Sequence, residues 1–391
     1  MAGLFNTKNK LDRNIFVLGV VSLFTDISSE MIYPLLPVFL SSVLGVSAAF
    51  IGLLEGIAES TAAILKVFSG WFSDKLRKRK PIIVLGYSLS TIGKPFLYLA
   101  AAGWHVLLVR FIDRFGKGIR TPPRDALIAD SSHVTRRGRD FGIQRAMDNA
   151  GAFLGPLAAF IALPLFNNNP RPVFLLAFVP GFIAVLILLF FLTEKPSVAP
   201  DLKTVKFSTS LLSRDFKVFV AIIAVFTLGN SSNAFLILRA RDLGLKVALI
   251  PILWLVYNFV GAVTSAPLGI LSDKIGRKKT LILGFLFYSA VYWGFAFADR
   301  QILLWPLMGL YGVYYGLSEG VLNAYVADLT EDRTILATSY GIYNTVVGIF
   351  IFPASFIMGI LWQTFNPTVA FGFGASLALL SAAGLSLFIK K

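Results

Sequence analysis

Runs of roughly 20 apolar residues, the length a helix needs to cross a ~30 Å hydrocarbon layer, recur along the chain between short polar turns. Breaking the sequence at those turns predicts twelve spans, near 14–40, 50–73, 81–101, 104–129, 141–165, 172–192, 216–238, 247–270, 279–298, 302–328, 338–362 and 367–389. The longest polar connection, TEKPSVAPDLKTVKFSTSLLSRDFK at 193–217, divides six spans from six. The pattern predicts an all-α membrane protein of twelve transmembrane helices: an N-terminal six-helix bundle over 1–192, a cytoplasmic linker over 193–217 and a C-terminal six-helix bundle over 218–391. Two spans are interrupted. Asn230, Ser231, Ser232 and Asn233 break into the seventh, and TPPR at 121–124 falls inside the fourth. There Pro122 and Pro123 remove two helix donors, which leaves either a tolerated kink or a break with Thr121 capping a restarted helix.

Composition agrees with a bilayer protein: 56% of residues are apolar and 15% charged, against about 45–50% apolar in soluble domains. With no cysteine and only His105 and His133, disulfides, thiolate metal sites and histidine metal clusters are not expected. The start, MAGLFNTKNKLDRN, lacks a small-residue cleavage site, so the first apolar segment reads as a retained span. A net charge of +15 raises the question of nucleic acid, and its placement answers it. Of 36 Lys and Arg, 23 lie at the termini, in the linker and in the loops on the same side; five (Arg171, Arg239, Arg241, Lys246, Arg300) lie on the opposite side. That asymmetry places both termini in the cytoplasm of a multi-pass inner-membrane protein. The expected partners are the lipid bilayer and a small-molecule substrate, with no nucleic acid and a monomeric chain.

The halves repeat. GWFSDKLRKRKP at 70–81 matches GILSDKIGRKKT at 269–280, and ALIAD at 126–130 matches AYVAD at 324–328. Parallel six-span repeats are the architecture of rocking carriers. On these residues the chain resembles the major facilitator superfamily over essentially its whole length. The loop after span 2 is similar to that family's Gly-x-x-x-Asp-Arg/Lys-x-Gly-Arg-Lys motif, complete in the second copy as Gly269, Asp273, Lys274, Gly276, Arg277 and Lys278, with Arg77 replacing the glycine in the first. Span 4 resembles the Arg-containing motif through Arg110, Gly116 and Gly118, with Asp113 and Arg114 in place of Gln and Gly. In span 5, Gly151, Gly155 and Pro156 match a motif associated with the family's antiporters. Physically, Gly70 and Gly269 are expected to let helices approach closely, and Asp74 and Asp273 to accept hydrogen bonds from a neighbouring helix N-terminus.

Charge inside the first half is the main functional signal. Arg110, Arg114, Lys117, Arg120 and Arg124 recur every three or four residues, one face of a helix. Lys66, Lys94 and Arg145 join them, with the acids Asp26, Glu30, Glu55, Glu59, Asp113, Asp125 and Asp148. An unpaired charge at mid-bilayer costs about 2.5–3.5 kcal/mol even on a lenient scale, so these groups must face one another or a watery cavity. At ~1.5 Å per residue, Arg110 falls level with Glu30, Glu55 with Lys94, Arg114 with Asp26 and Glu59, and Lys117 with Asp148. The two interpretations are a static salt-bridge scaffold and a working site. In the second, Asp26, Glu30, Glu59 and Asp113 carry protons, and Arg110, Arg114, Lys117, Glu55 and Asp148 meet substrate. The second half offers Tyr311, Tyr315, Glu319, Asn323 and Tyr343, with Trp254, Tyr257, Asn258, Tyr314, Tyr340 and Asn344 nearby, an aromatic wall suited to an amphipathic compound.

The sequence thus predicts a secondary active transporter, neither enzyme nor channel, with no cofactor and protons as the coupling ion; there is no phosphate-cradling Gly-rich loop for ATP. The resemblance at Gly151–Pro156 implies an antiporter exporting an amphipathic or partly anionic molecule, such as a drug or siderophore-like metabolite. The alternative is a symporter importing an organic anion.

Overall fold

A computed structural model of the chain describes residues 11–76, 78–133, 136–195, 212–330 and 335–389, the side chains of Trp71 and Ala337 excepted. Arg77 and linker residues 196–211 lie outside this set. The described residues form helices throughout: α1 (Arg13–Val43), α2 (Ala48–Leu76), α3 (Lys80–Ile92), α4 (Gly103–Ser131), α5 (Arg137–Leu165), α6 (Pro170–Phe191), α7 (Arg214–Asp242), α8 (Val247–Ile275), α9 (Arg277–Phe297), α10 (Leu304–Leu329), α11 (Leu336–Thr364) and α12 (Pro367–Phe388). Of these, nine are long and apolar enough to cross a membrane; α3, α4 and α10 are the others. Asp12, Ser213 and Asn366 cap the starts of α1, α7 and α12 by accepting from Asn14 N (2.8 Å), Phe216 N (3.1 Å) and Val369 N (2.9 Å). Gly276 separates α8 from α9 at φ +93°, a conformation that suits glycine.

α4 does not break at TPPR: it runs continuously through Pro122 and Pro123. Proline at 123 has no N–H for the carbonyl of Ile119, and the Ser69 hydroxyl of α2 donates to that carbonyl instead. Thr121 does not cap a new helix; its hydroxyl donates back to Lys117 O at 2.7 Å. Span 7 does break, with α-helix ending at Gly229 and resuming at Ala234.

Packing repeats after six helices. α1 packs on α5 and α6, α2 on α4, and α3 on α4 and α6; α7 packs on α11 and α12, α8 on α10, and α9 on α10 and α12. The two sets meet where α2 packs on α11 and α5 on α8. Small residues make the first seam tight: a Cβ at Gly56 would stand 2.8 Å from the Phe352 carbonyl oxygen, and the Ser60 hydroxyl donates to Gly348 O at 2.7 Å. At the far end of that seam, Ala49 N donates to the Gln363 side chain at 3.3 Å. Toward the other face the seams part. Gly341 on α11, Gly269 on α8, and Gly138 and Gly142 on α5 have no neighbouring atom that an added Cβ would meet within 4 Å. Phe68 and Phe72 on α2 are exposed. The result is a vestibule, closed where α2 begins and α11 ends, and open on the face bearing the 2–3 and 8–9 turns.

Candidate functional site

Two α2 carboxylates meet the basic stripe of α4. Arg110 binds Glu55 through both Nε (3.2 Å to Oε1) and Nη2 (2.9 Å to each oxygen), and both side chains are buried. Its remaining reach extends to Glu59 (3.9 Å) and Asp113 (3.7 Å), over the Tyr33 ring at 5.7 Å. One turn further, Arg114 Nη2 pairs with Glu59 at 2.8 Å. Arg120 donates to Ser90 Oγ at 2.5 Å and lies over the Tyr87 ring at 4.2 Å. Arg124 pairs with Asp125 and donates to Ser22 at 3.2 Å. This packing needs small residues: at Gly118 a Cβ would stand 2.7 Å from Leu65 Cβ, and at Gly86 the same distance to Gly116 O is 2.6 Å. Lys94, level with Glu55 by residue count, instead donates to Ser28 (2.6 Å) and Ser29 (3.1 Å) of α1. Glu30, level with Arg110 by the same count, turns away from it.

Glu30 Oε2 accepts from the Trp254 indole at 2.7 Å and from Asn258 at 3.4 Å, both on α8, while Asn258 also donates to Ala152 O of α5 at 3.0 Å. A membrane-embedded carboxylate thereby joins the two sets of helices. A second link comes from the break in α7, where the Ser232 hydroxyl donates to Glu55 Oε2 at 3.2 Å. A third is Arg145 on α5, which reaches both Glu319 oxygens on α10 at 3.2 Å across the vestibule. Gly151 and Gly155 set α5 against α1: added Cβ atoms would stand 2.8 Å from Asp26 Cβ and 2.6 Å from Glu30 Cβ. Pro156 is buried in the same contact region.

Opposite lies the aromatic wall. Trp254, Tyr257 and Tyr311 follow one another at centroid spacings of 4.7 and 5.3 Å, with Tyr315 5.9 Å from Tyr257 and Tyr33 5.0 Å from Trp254. Tyr311 is buried and donates to Asn233 at 2.7 Å. Tyr343 does not line the wall; it is buried on Phe219, with centroids 6.3 Å apart. Asn323 is exposed, and its amide returns to Glu319 O at 3.2 Å.

At the open face, the loop motifs differ from expectation. Gly269 meets nothing, and a Cβ at Gly70 would make only an ordinary 3.5 Å contact with Pro122, so neither glycine brings helices together here. Asp74 and Asp273 bind no helix N-terminus among the described residues. Each faces an arginine that also holds the aspartate of the second repeat: Arg79 lies 3.7 Å from Asp74 and 3.0 Å from Asp130, and Arg277 lies 3.5 Å from Asp273 and 2.5 Å from Asp328. The two repeated motifs are therefore one charge relay, present twice. Trp254, Asn258 and Ser232 were legible as polar groups in apolar spans, but nothing in the sequence aimed them at Glu30 and Glu55.

Two pseudo-repeated sets of helices that meet around buried charges are the build of a membrane transporter. The family model for the Major Facilitator Superfamily matches residues 18–348 and 218–391, and the chain belongs to that superfamily. It is 42% identical over 386 residues to an uncharacterized MFS-type transporter of Methanocaldococcus jannaschii, covering 97% of this chain and 96% of that one. It is 31% identical over 127 residues to the multidrug resistance protein MdtH of Photorhabdus laumondii, covering 32% and 31%. Among solved structures it is similar to a point mutant of the nucleoside transporter NupG, with a TM-score of 0.80, 13% identity, and coverage of 96% and 99%.

Proposed function

We propose that this chain is a proton-coupled exporter of an amphipathic or partly anionic small molecule, working by alternating access. In this reading the helices make twelve crossings in two six-helix bundles, residues 1–192 and 218–391, joined by a linker at 193–217. Both termini face the cytoplasm, and the protein works as a monomer. The six-helix repeat of packing partners supports the two bundles, the excess of Lys and Arg on the open face supports the orientation, and the partial similarity to MdtH supports efflux.

The observation that carries the reading is Glu30 on α1, held by Trp254 and Asn258 on α8. Charge-assisted hydrogen bonds are about twice as strong as neutral ones. A proton on Glu30 weakens both bonds and loosens the α1–α8 junction, so the bundles rock and cargo loaded from the open face leaves through the other. Asp26, beside α5 at Gly151, is the second proton carrier. Export then requires proton entry from outside, and transport should follow an imposed pH gradient.

The test is flux of a chemically diverse compound panel in proteoliposomes with and without a pH gradient. Wild type should accumulate at least one compound against its concentration gradient only when protons flow the opposite way, and Glu30→Gln should retain its fold while losing that coupling. Gradient-independent flux in wild type, or full coupling in Glu30→Gln, contradicts the reading. Import of an organic anion together with protons is the second reading, favoured by Lys117, whose ammonium has no hydrogen-bond or ion-pair partner among the described residues; flux in the same direction as the protons would select it.

A further inference from the structure

The closed face carries an opening of its own, away from the vestibule. Where α1 and α7 end, α2 begins and α11 ends, the helices leave a pocket of about 310 Å³, at the small end of the ~300–1,000 Å³ range of small-molecule sites. Ser41, Ser42 and Ala48 line it from the first set of helices, and Arg241, Asp242 and Trp362 from the second. All six keep accessible surface, above a floor of buried Ile51 and Leu238. The α2–α11 seam separates this pocket from the vestibule. A Cβ added at Gly359 or Gly52 would collide with the carbonyl oxygens of Ala48 and Ser355, and Ser60 and Gly348 continue the contact inward.

The charge of the pocket is one-sided. Arg241 is exposed, and its Nε donates to Ser42 Oγ across the junction at 3.3 Å. Its two terminal nitrogens have no partner among the described residues. The carboxylate of Asp242 is held by Arg239 Nη1 at 2.5 Å. Arg239 is buried and is itself fixed by two backbone carbonyls, Phe295 O at 3.1 Å and Ala298 O at 2.6 Å. That pair is neutral, so Arg241 sets the sign. Ser42 accepts from Arg241 and keeps its hydroxyl proton free to donate. Trp362 and Ala48, both half-buried, add apolar surface, and the indole is packed from behind by Phe235, with ring centroids 5.9 Å apart.

We propose that this pocket binds a small aromatic oxyanion, a carboxylate or sulfonate, with its oxygens on the Arg241 fork and the Ser42 hydroxyl and its ring along Trp362 and Ala48. A guanidinium takes such a group through two parallel N–H donors. A cation meets Arg241 as a like charge, and a neutral ring leaves the guanidinium unpaired. The walls belong to different sets of helices, so parting of the α2–α11 seam pulls the site apart. A ligand that binds only the closed face stabilises it; at ten times its Kd, the closed state gains about elevenfold in population over the parted one. Resting on the transport reading above, the bound anion is a brake applied from the side on which cargo leaves.

The test is equilibrium binding to the purified full-length protein by calorimetry. Benzenesulfonate and benzoate are the probes, with benzenesulfonamide and benzamide as their neutral counterparts. Each anion should bind about tenfold or more tightly than its amide, the effect of a charged hydrogen bond. Arg241→Gln should erase that advantage, and Lys117→Gln, on the α4 stripe, should keep it. Equal affinity of anion and amide, no binding of either anion, or loss in Lys117→Gln rather than in Arg241→Gln overturns the site. For the brake, benzenesulfonate, which carries no proton across the bilayer, is added on the pocket side of proteoliposomes. Proton-driven flux should fall several-fold in wild type, and flux of Arg241→Gln should stay at that variant's own level. Undiminished wild-type flux at saturating anion overturns the brake. Arg241-dependent binding to a protein with no proton-driven flux would overturn the transport reading and leave the site standing.

Discussion

Arg110 and Glu55 show how one residue's surroundings decide its role. The pair is bidentate, with side chains 8% and 3% exposed, and Ser232 supplies a further donor to the carboxylate. Breaking such a pair from one side strands a buried charge, at a cost of about 3–5 kcal/mol, whereas replacing both partners with apolar groups of similar size is often neutral. Arg110→Ala is therefore expected to lower the thermal unfolding temperature and expression sharply, before any question of transport arises. The double variant Arg110→Met, Glu55→Leu should recover most of that stability. Thermal unfolding of the purified single and double variants measures this directly; equal losses in both would remove the buried pair as the cause. Glu30 is the contrasting case. Its partners are two neutral donors on another helix, so Glu30→Gln keeps hydrogen-bonding capacity there and tests function without unfolding the protein.

At the scale of the helix, α4 explains how two consecutive prolines survive in a span. The Ile119 carbonyl loses its partner at Pro123 and recovers one from Ser69. Ser69→Ala should cost about 1–3 kcal/mol, the penalty of a buried unsatisfied acceptor. Pro123→Ala restores the helix N–H, so adding Ser69→Ala to it should cost nearly nothing. A double-mutant cycle on thermal stability reads the difference, and additive effects would refute the rescue. The same helix marks what is legible in the sequence. The spacing of Arg110, Arg114, Lys117, Arg120 and Arg124 defines one charged face, and the need for partners follows from the bilayer. Which carboxylate each meets does not follow. Residue counting fixes depth along a helix but not its rotation or its neighbour, so Arg110 falls level with Glu30 while the packing of α4 on α2 gives it Glu55. Likewise the break at Asn230–Asn233 is visible in the sequence, and its contact with Glu55 is not.

For the whole molecule, the repeat of motifs predicts a repeat of packing, because each half must bury the same helix faces. Loop periodicity carries less: Gly269 lies against open space, and the loop aspartates serve an arginine relay that exists only once α2, α4, α8 and α10 are in place. That relay sits on the open face, while Ala49 and Gln363 close the opposite one. If cargo leaves by parting of the α2–α11 seam, fastening that end must stop the cycle without disturbing loading. The chain has no cysteine, so Ala49→Cys with Gln363→Cys introduces the only thiols. Bridging them with a short bifunctional reagent should abolish transport in proteoliposomes, and a reducible bridge should restore it on reduction. Equilibrium binding from the open face should survive the bridge, since no residue of the vestibule is altered. Transport that continued with the bridge in place would mean that the α2–α11 seam stays closed through the cycle, and the exit path would then lie along α5 and α8.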